Sequence, residues 1–275
     1  MQLLPSLQLV AGLRFEHFNV DFTNNRTGDR FRVEDNTVSP RVGLIWRPLE
    51  PLTFYASFAN SYLPRAGEQL ASLTLANQNL RPESFTNYEI GARYDVAPGL
   101  AVTAALYQLD RTNVAVADPA NPTRSILVDG TRNRGFELGV RGDVTDRWSV
   151  LGGWAVQEGE VTSRQSATVA RGNGVPFLPR NAVTLWNRYQ VLPRLGLGLG
   201  LVHQSSYFAS TDNRVRIPGY TRLDAAAFWS ITDRWGLQAN VENLTGTKYY
   251  PVADNNNNIS PGAPITARFA LTARF

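Results

Sequence analysis

The feature that most restricts how this chain can fold is a strict two-residue alternation, cleanest in its last stretch, PITARFALTARF (264–275). Ile265, Ala267, Phe269, Leu271, Ala273 and Phe275 share one parity, while Thr266, Arg268, Ala270, Thr272 and Arg274 share the other. Side chains along an extended strand point to opposite faces in turn, so this pattern describes a strand with one oily and one wet face. An edge strand of a soluble sandwich would alternate in the same way. The weight of the signal depends on whether the rest of the chain repeats it.

It does, from the N-terminus onward. Apolar residues fall on every second position at about 6–20 (Leu7, Leu9, Ala11, Leu13, Phe15), 38–47 (Val42, Leu44, Trp46) and 52–62 (Leu52, Phe54, Ala56, Phe58). The same holds at about 85–95 (Tyr88, Ile90, Ala92, Tyr94), 100–112 (Leu100, Val102, Ala104, Leu106) and 133–143 (Phe136, Leu138, Val140). Further on come about 147–158 (Trp148, Val150, Trp154), 180–190 (Val183, Leu185, Tyr189) and 194–206 (LGLGLGL). The last two before the terminal strand are about 219–230 (Leu223, Ala225, Trp229) and 234–244 (Trp235, Leu237, Val241). Twelve strands are expected. The stretch MQLLPSLQLVAGL lacks a basic leader segment, contains Pro5 and alternates from Leu7, so it reads as strand and not as a targeting signal, as in a mature form or a fragment.

The connections sort by length. Polar or Gly-rich stretches at 21–36, 63–84, 113–132, 159–179, 207–218 and 245–263 alternate with tight turns at 48–51, 96–99, Thr145-Asp146, Leu192-Pro193 and Thr232-Asp233. In an antiparallel meander all tight turns then lie at one end and all long loops at the other, the asymmetry of outer-membrane barrels. Trp46, Tyr94, Trp148, Tyr189, Trp229, Trp235 and Phe275 occupy the oily parity at the short-turn end, as an interfacial aromatic girdle would. A soluble sandwich would bury its Trp in mid-strand and would have no reason to sort its loops by side.

Composition is consistent with this. No run of about 18 apolar residues exists, so no transmembrane helix is expected. A mean hydropathy of −0.24 does not count against a barrel, whose alternating strands average out. With no Cys, neither a disulfide framework nor a thiolate metal site can form. The 27 basic residues exceed the 23 acidic ones only slightly and are spread along the chain, which argues against nucleic acid.

Catalytic chemistry finds no support. His17 and His203 sit on different strands with no carboxylate at metal-motif spacing, and no nucleophile–base constellation is visible. The glycines of LGLGLGL follow period two inside a strand and lead into no helix, so they read as small inward-facing residues and not as a phosphate loop. Asn255 to Asn258 read as a flexible polar tract. Inward-facing Glu89, Arg93, Glu137, Arg141 and Glu242 either line a solute path or bond across neighbouring strands and to a plug. Near the outer rim, Tyr62, Arg65, Tyr207, Phe208, Arg214, Tyr249 and Tyr250 combine aromatic rings with positive charge. That chemistry suits an anionic metal chelate; the alternative is an outer girdle with Arg residues paired to lipopolysaccharide.

These stretches also resemble a family. SPRVGLIWRP (39–48), LTFYASFANSYLP (52–64), LRPESFTNYEIGARYDV (80–96), LYQLDRTNV (106–114) and GTRNRGFELGVRGDVTDRWSV (130–150) are similar to the barrel of TonB-dependent receptors of the ferric-siderophore type. IPGYTRLDAAAFW (217–229), LQANVENLTGTKYY (237–250) and SPGAPITARFALTARF continue the likeness in order; Ile265 stands where the family usually has Arg. The resemblance implies a bacterial outer-membrane receptor, with residues 1–275 as the C-terminal half of a 22-stranded barrel and with neither plug domain nor TonB box in this sequence. It implies uptake of a ferric siderophore energised through TonB, iron being carried as a chelate and no cofactor held by the protein. The implied partners are TonB by way of the plug, membrane lipid, and the barrel-assembly machinery at the C-terminal strand. The other reading is an autonomous small barrel acting as a passive pore or structural protein.

Overall fold

The computed structural model describes residues 1–64, 77–121 and 123–275, and every described element is a β-strand or a connection. Alternation produces the expected strands, and they pair with their sequence neighbours. β1 (Gln2–Leu4), β2 (Leu7–Thr23), β3 (Arg30–Leu49), β4 (Leu52–Leu63), β5 (Glu83–Ala97) and β6 (Leu100–Thr112) begin the sheet. The chain then leaves the sheet for a hairpin of β7 (Val114–Ala117) and β8 (Ser125–Val128) and returns with β9 (Thr131–Thr145), β10 (Trp148–Val161), β11 (Asn181–Leu192) and β12 (Leu195–Gln204). A second hairpin, β13 (Tyr207–Phe208) and β14 (Arg216–Ile217), precedes β15 (Tyr220–Ser230) and β16 (Trp235–Glu242). A third, β17 (Val252–Asn255) and β18 (Asn258–Ser260), precedes the last strand β19 (Thr266–Ala273).

Thirteen strands form one antiparallel sheet in the order β1-β2-β3-β4-β5-β6-β9-β10-β11-β12-β15-β16-β19, and the three hairpins stand apart from it. The count exceeds the expected twelve because the first stretch is split at Pro5, which lets Gln2 and Leu4 fold back against Gln8 and Leu7. That short pairing covers the start of β2. The sheet is open among the described residues, with β1 and β19 at its two edges. It is therefore not a closed twelve-stranded barrel.

The polar stretch 21–36 is not a loop. Thr23 pairs with Arg30 and the register runs without a break to Leu7↔Trp46, leaving only 24–29 as a turn. At about 3.4 Å per residue the seventeen residues of β2 extend roughly 55 Å, well beyond the nine to eleven needed to cross a bilayer. The hairpin thus projects past the apolar band on the long-loop side. Its inner parity turns apolar there: Phe31 and Val33 are buried, and the rings of Phe22 and Phe31 stack with centroids 6.0 Å apart.

Along the ladders the apolar parity remains exposed. Leu13, Phe15, Val42, Leu44, Ile90, Leu106, Leu199, Phe269 and Leu271 share one face of the sheet and stay open to the surroundings. A face this continuous is not stable in water and requires an apolar solvent. The turn-end aromatics fall into register with one another or with apolar neighbours: Trp148↔Tyr189, Leu195↔Trp229, Trp235↔Ala273, Leu7↔Trp46 and Leu52↔Tyr94. At one of these turns Gly99 (φ 83) faces Gly142 (φ 137), where any side chain on Gly142 would run into the Gly99 carbonyl.

The opposite face is polar and unusually flat. Tyr55 lies across Gly91, Tyr107 across Gly135, and Trp186 across both Gly198 and Gly200. In each case a large ring occupies the space that a neighbouring side chain would fill, so Gly198 and Gly200 of LGLGLGL are the bed for Trp186.

The two faces should respond differently to the same charge. Leu199→Arg on the apolar face should destabilise the full-length protein in lipid by about 2–4 kcal/mol, whereas Thr184→Arg on the polar face should change stability by less than about 1 kcal/mol. Urea unfolding in liposomes checks both; equal losses would mean that the apolar face is not the lipid face.

Candidate ligand-binding rim

The long-loop end carries the candidate binding residues, and its connections are folded in their own right. In β13–β14, Tyr207 pairs with Ile217 and Phe208 with Arg216; in β17–β18, Val252 pairs with Ser260 and Ala253 with Ile259. Tyr207, Ala209 and Ile217 of the first hairpin and Ala253 of the second make a small apolar core flanked by Val215 and Ile259. The Asn255–Asn258 tract is therefore the turn of an ordered hairpin and not a flexible loop.

This packing divides the rim candidates. Tyr207 is buried, its ring centroid 6.4 Å from that of Phe177, and burial pushes its phenol above the usual range. Tyr249 is also buried: its hydroxyl accepts a hydrogen bond from Arg222 Nη1 at 3.0 Å, and its ring lies 4.5 Å from that of Tyr220 and over Gly262. Arg222 in turn pairs with Asp224 at 2.7 Å. Tyr207 and Tyr249 thus hold the loops together and offer little surface to a ligand. Tyr250 is 42% exposed, and Arg214 is exposed with its Nε 3.6 Å from Asp212 Oδ2. Phe208 is half-buried, with its ring edge against Gly174. Tyr62, at the end of β4, lines a cavity of about 390 Å³ shared with Asn36, Thr37, Ser84 and Thr112, and is not brought near Tyr250 by any described contact. Arg65 lies outside the described residues.

Three residues important to this rim escaped the sequence reading. Asn213 and Asn243 adopt φ 57, the left-handed conformation that Asn tolerates, and the loop stretches TDNR and VENLTG carried that signal. Phe177 adopts φ 59 and stays 47% exposed; no sequence rule places a Phe there.

On the polar face the charges are mostly bonded to neighbours. Tyr55 donates to Glu89 at 2.5 Å, Tyr107 to Gln157 at 2.9 Å, Arg93 pairs with Asp95 at 2.7 Å, and Arg268 with Glu242 at 3.4 Å. Arg93 and Arg141 line a wide cavity of about 1070 Å³ near the turn end, and Glu137 lines a smaller one. The arrangement can hold polar or charged groups along the inner wall and aromatic, charged ones at the rim.

Comparison with known proteins identifies this architecture. Residues 1–244 match the family described as TonB dependent receptor-like, beta-barrel. The chain belongs to that family. Its members are outer-membrane receptors that transport and do not catalyse, and the apolar face of this sheet is accordingly a lipid face. The probable TonB-dependent siderophore receptor PiuA of Acinetobacter baumannii is 28% identical over 272 residues, 92% of this chain and 36% of PiuA. Its crystal structure superposes with a TM-score of 0.89, covering 98% of this chain and 41% of that one. The probable TonB-dependent receptor BfrD of Bordetella pertussis is 30% identical, covering 88% of this chain and 35% of BfrD. The catecholate siderophore receptor Fiu of Escherichia coli O157:H7 is 28% identical, covering 86% and 32%. The chain thus spans about a third of the length of the curated relatives it matches.

One rim contact should show itself through pH. Asn256 Nδ2 lies 3.0 Å from both oxygens of Asp212, and this bond, helped by Arg214, holds the Asp212 carboxyl below its usual range. A lowered folded pKa means that the link is complete above the ordinary value of 3.8 and is lost as pH falls through the lowered one. Proteolysis by an acid-active protease, from about pH 5 to about pH 2, should therefore begin to cut 252–260 only at the acid end, and Asp212→Ala should abolish that pH step.

Proposed function

We propose that the complete protein is a receptor for ferric siderophores, with residues 1–275 as the C-terminal portion of its barrel domain and with an N-terminal plug that TonB engages to energise uptake. The observation that carries this reading is the family match along 1–244, together with relatives such as PiuA and Fiu whose own names describe siderophore receptors. The rim supports it chemically. Exposed Tyr250, Phe177 and Arg214 offer aromatic faces and a cation to an anionic chelate with aromatic groups, for which charge-assisted bonds and cation–π contacts are the natural attractions. In the same reading Trp46, Tyr94, Trp148, Tyr189, Trp229, Trp235 and Phe275 anchor the turn end at the membrane interface, rim arginines meet lipopolysaccharide, and the terminal strand is the segment that the barrel-assembly machinery reads. The open sheet disfavours a passive small pore, since unpaired strand edges are not tolerated in lipid.

The test is binding of a panel of ferric catecholate, hydroxamate and carboxylate chelates to the full-length protein, followed by uptake in cells. One chelate class should bind, and its uptake should stop when the proton gradient is collapsed. Arg214→Ala and Tyr250→Ala should each raise Kd about five- to thirtyfold, the equivalent of about 1–2 kcal/mol. Binding of no chelate, or ohmic conductance without energy coupling, would overturn the reading.

A further inference from the structure

The last three outer connections, 162–180, 205–219 and 243–265, are separated by whole strands in sequence, yet they are joined by specific bonds. Asn213 is the centre of this junction. Its Oδ1 accepts from Gly174 N at 2.6 Å, and its Nδ2 donates to Gly174 O at 2.8 Å, so that one side-chain amide bonds both polar groups of a residue in the neighbouring connection. The same Nδ2 lies 3.2 Å from Ser210 O and 3.3 Å from Thr211 O in its own loop. Asn173 adds a second bridge, its Nδ2 donating to Thr211 O at 2.8 Å, and the Phe177 amide donates to Phe208 O at 3.0 Å as a third.

The connection 205–219 is joined just as directly to 243–265. Asn256 bonds Asp212, Tyr207 Oη lies 3.5 Å from Tyr250 O, and the core of Tyr207, Ala209, Ile217, Ala253, Val215 and Ile259 is drawn from both hairpins. The outer two connections are tied down at their roots as well. Val161 N donates to Asn173 O and Val175 N to Gly159 O, while buried Asn243 donates to Thr247 O at 2.9 Å and Ala263 O at 3.0 Å. Phe177 and Asn213 both have positive φ, conformations that persist where the surroundings over-determine them.

We infer that these three connections form one preassembled cap that opens or shifts only as a unit, with Asn213 as its lock. A ligand touching any one of the three acts on all of them, and rearrangement confined to a single loop is left to connections outside the cap. This goes beyond the siderophore reading and does not depend on which ligand binds. The hairpin β7–β8, whose strands pair with each other and whose connection meets 162–180 at the Gly130 carbonyl through Thr162 and Gln165, serves as an internal reference.

The experiment is hydrogen–deuterium exchange on the full-length receptor in lipid nanodiscs, without ligand. Asn213→Gly accepts the positive φ while removing the amide, so it removes the bonds without straining the backbone. In the parent protein, amides of 172–177, 207–217 and 252–260 should be protected. In the variant all three should exchange about tenfold faster together, as expected for loss of part-buried hydrogen bonds, with 114–128 unchanged. Faster exchange restricted to 210–216, or three segments already unprotected in the parent, would overturn the inference. Should Asn213→Gly fail to assemble, Asp212→Ala removes the bonds to Asn256 and Arg214 and leaves Asn213 in place. It should then speed exchange in 172–177, 207–217 and 252–260 together, and an effect limited to residue 212 and its neighbours would equally overturn the cap.

Discussion

Every property of this sheet follows from one constraint: in lipid, no water is present to satisfy a backbone N–H or C=O. Each unpaired group in that environment costs several kcal/mol, so a chain that crosses with strands must pair them all along their length. The meander is the simplest way to do so, because each strand meets its sequence neighbour through a turn of a few residues. The ladders here run long and regular toward the rim: β2 pairs with β3 without a break from Leu7↔Trp46 to Thr23↔Arg30, and β9 with β10 from Ser149↔Asp143 to Val161↔Thr131. Irregular backbone is confined to the ends of the sheet, where water returns.

The same constraint separates the two ends and the two faces into different kinds of chemistry. The apolar face has only to be oily, and its exposed residues are a mixture of Leu, Val, Ile, Phe, Tyr and Trp that make no packed core. The polar face instead carries specific cross-strand pairs, with Tyr55, Tyr107 and Trp186 laid flat on glycines so that large rings consume little of the space inside. At the rim the apolar effect reappears in ordinary form. Tyr207, Ile217 and Ala253 exclude water from one another much as a small soluble domain would, and polar bridges from Asn213, Asn173 and Asn256 finish the assembly.

This explains where reading from sequence succeeded and where it stopped. Strand parity was legible because lipid and lumen impose opposite demands on alternate residues, and Pro98-Gly99 or Thr145-Asp146 mark turns whose geometry is local. The stretch 21–36 was misjudged because polarity usually signals a loop, whereas β2 and β3 stay paired in water beyond the membrane, where polar strands are stable. The hairpins β7–β8, β13–β14 and β17–β18 were missed for a related reason: strands of two to four residues carry too little alternation to register. Tyr207 and Tyr249 looked like ligand contacts because an aromatic residue in a loop is ambiguous; only their neighbours, Ala253 in one case and Arg222 in the other, show that the rings are used inside.

The sequence by itself determined the twelve long strands of the meander, their order, the face each residue takes and the end at which loops gather, because all of these follow from period two and from turn residues acting over a few positions. The tertiary structure alone decided which connections touch. Gly174, Asn213 and Asn256 belong to three different loops, and their meeting depends on the spacing and stagger of strands β10 to β19, a long-range property that no local pattern encodes. The family was legible from ordered motifs, while the surface left for a ligand was set by which aromatic rings the packed loops consumed.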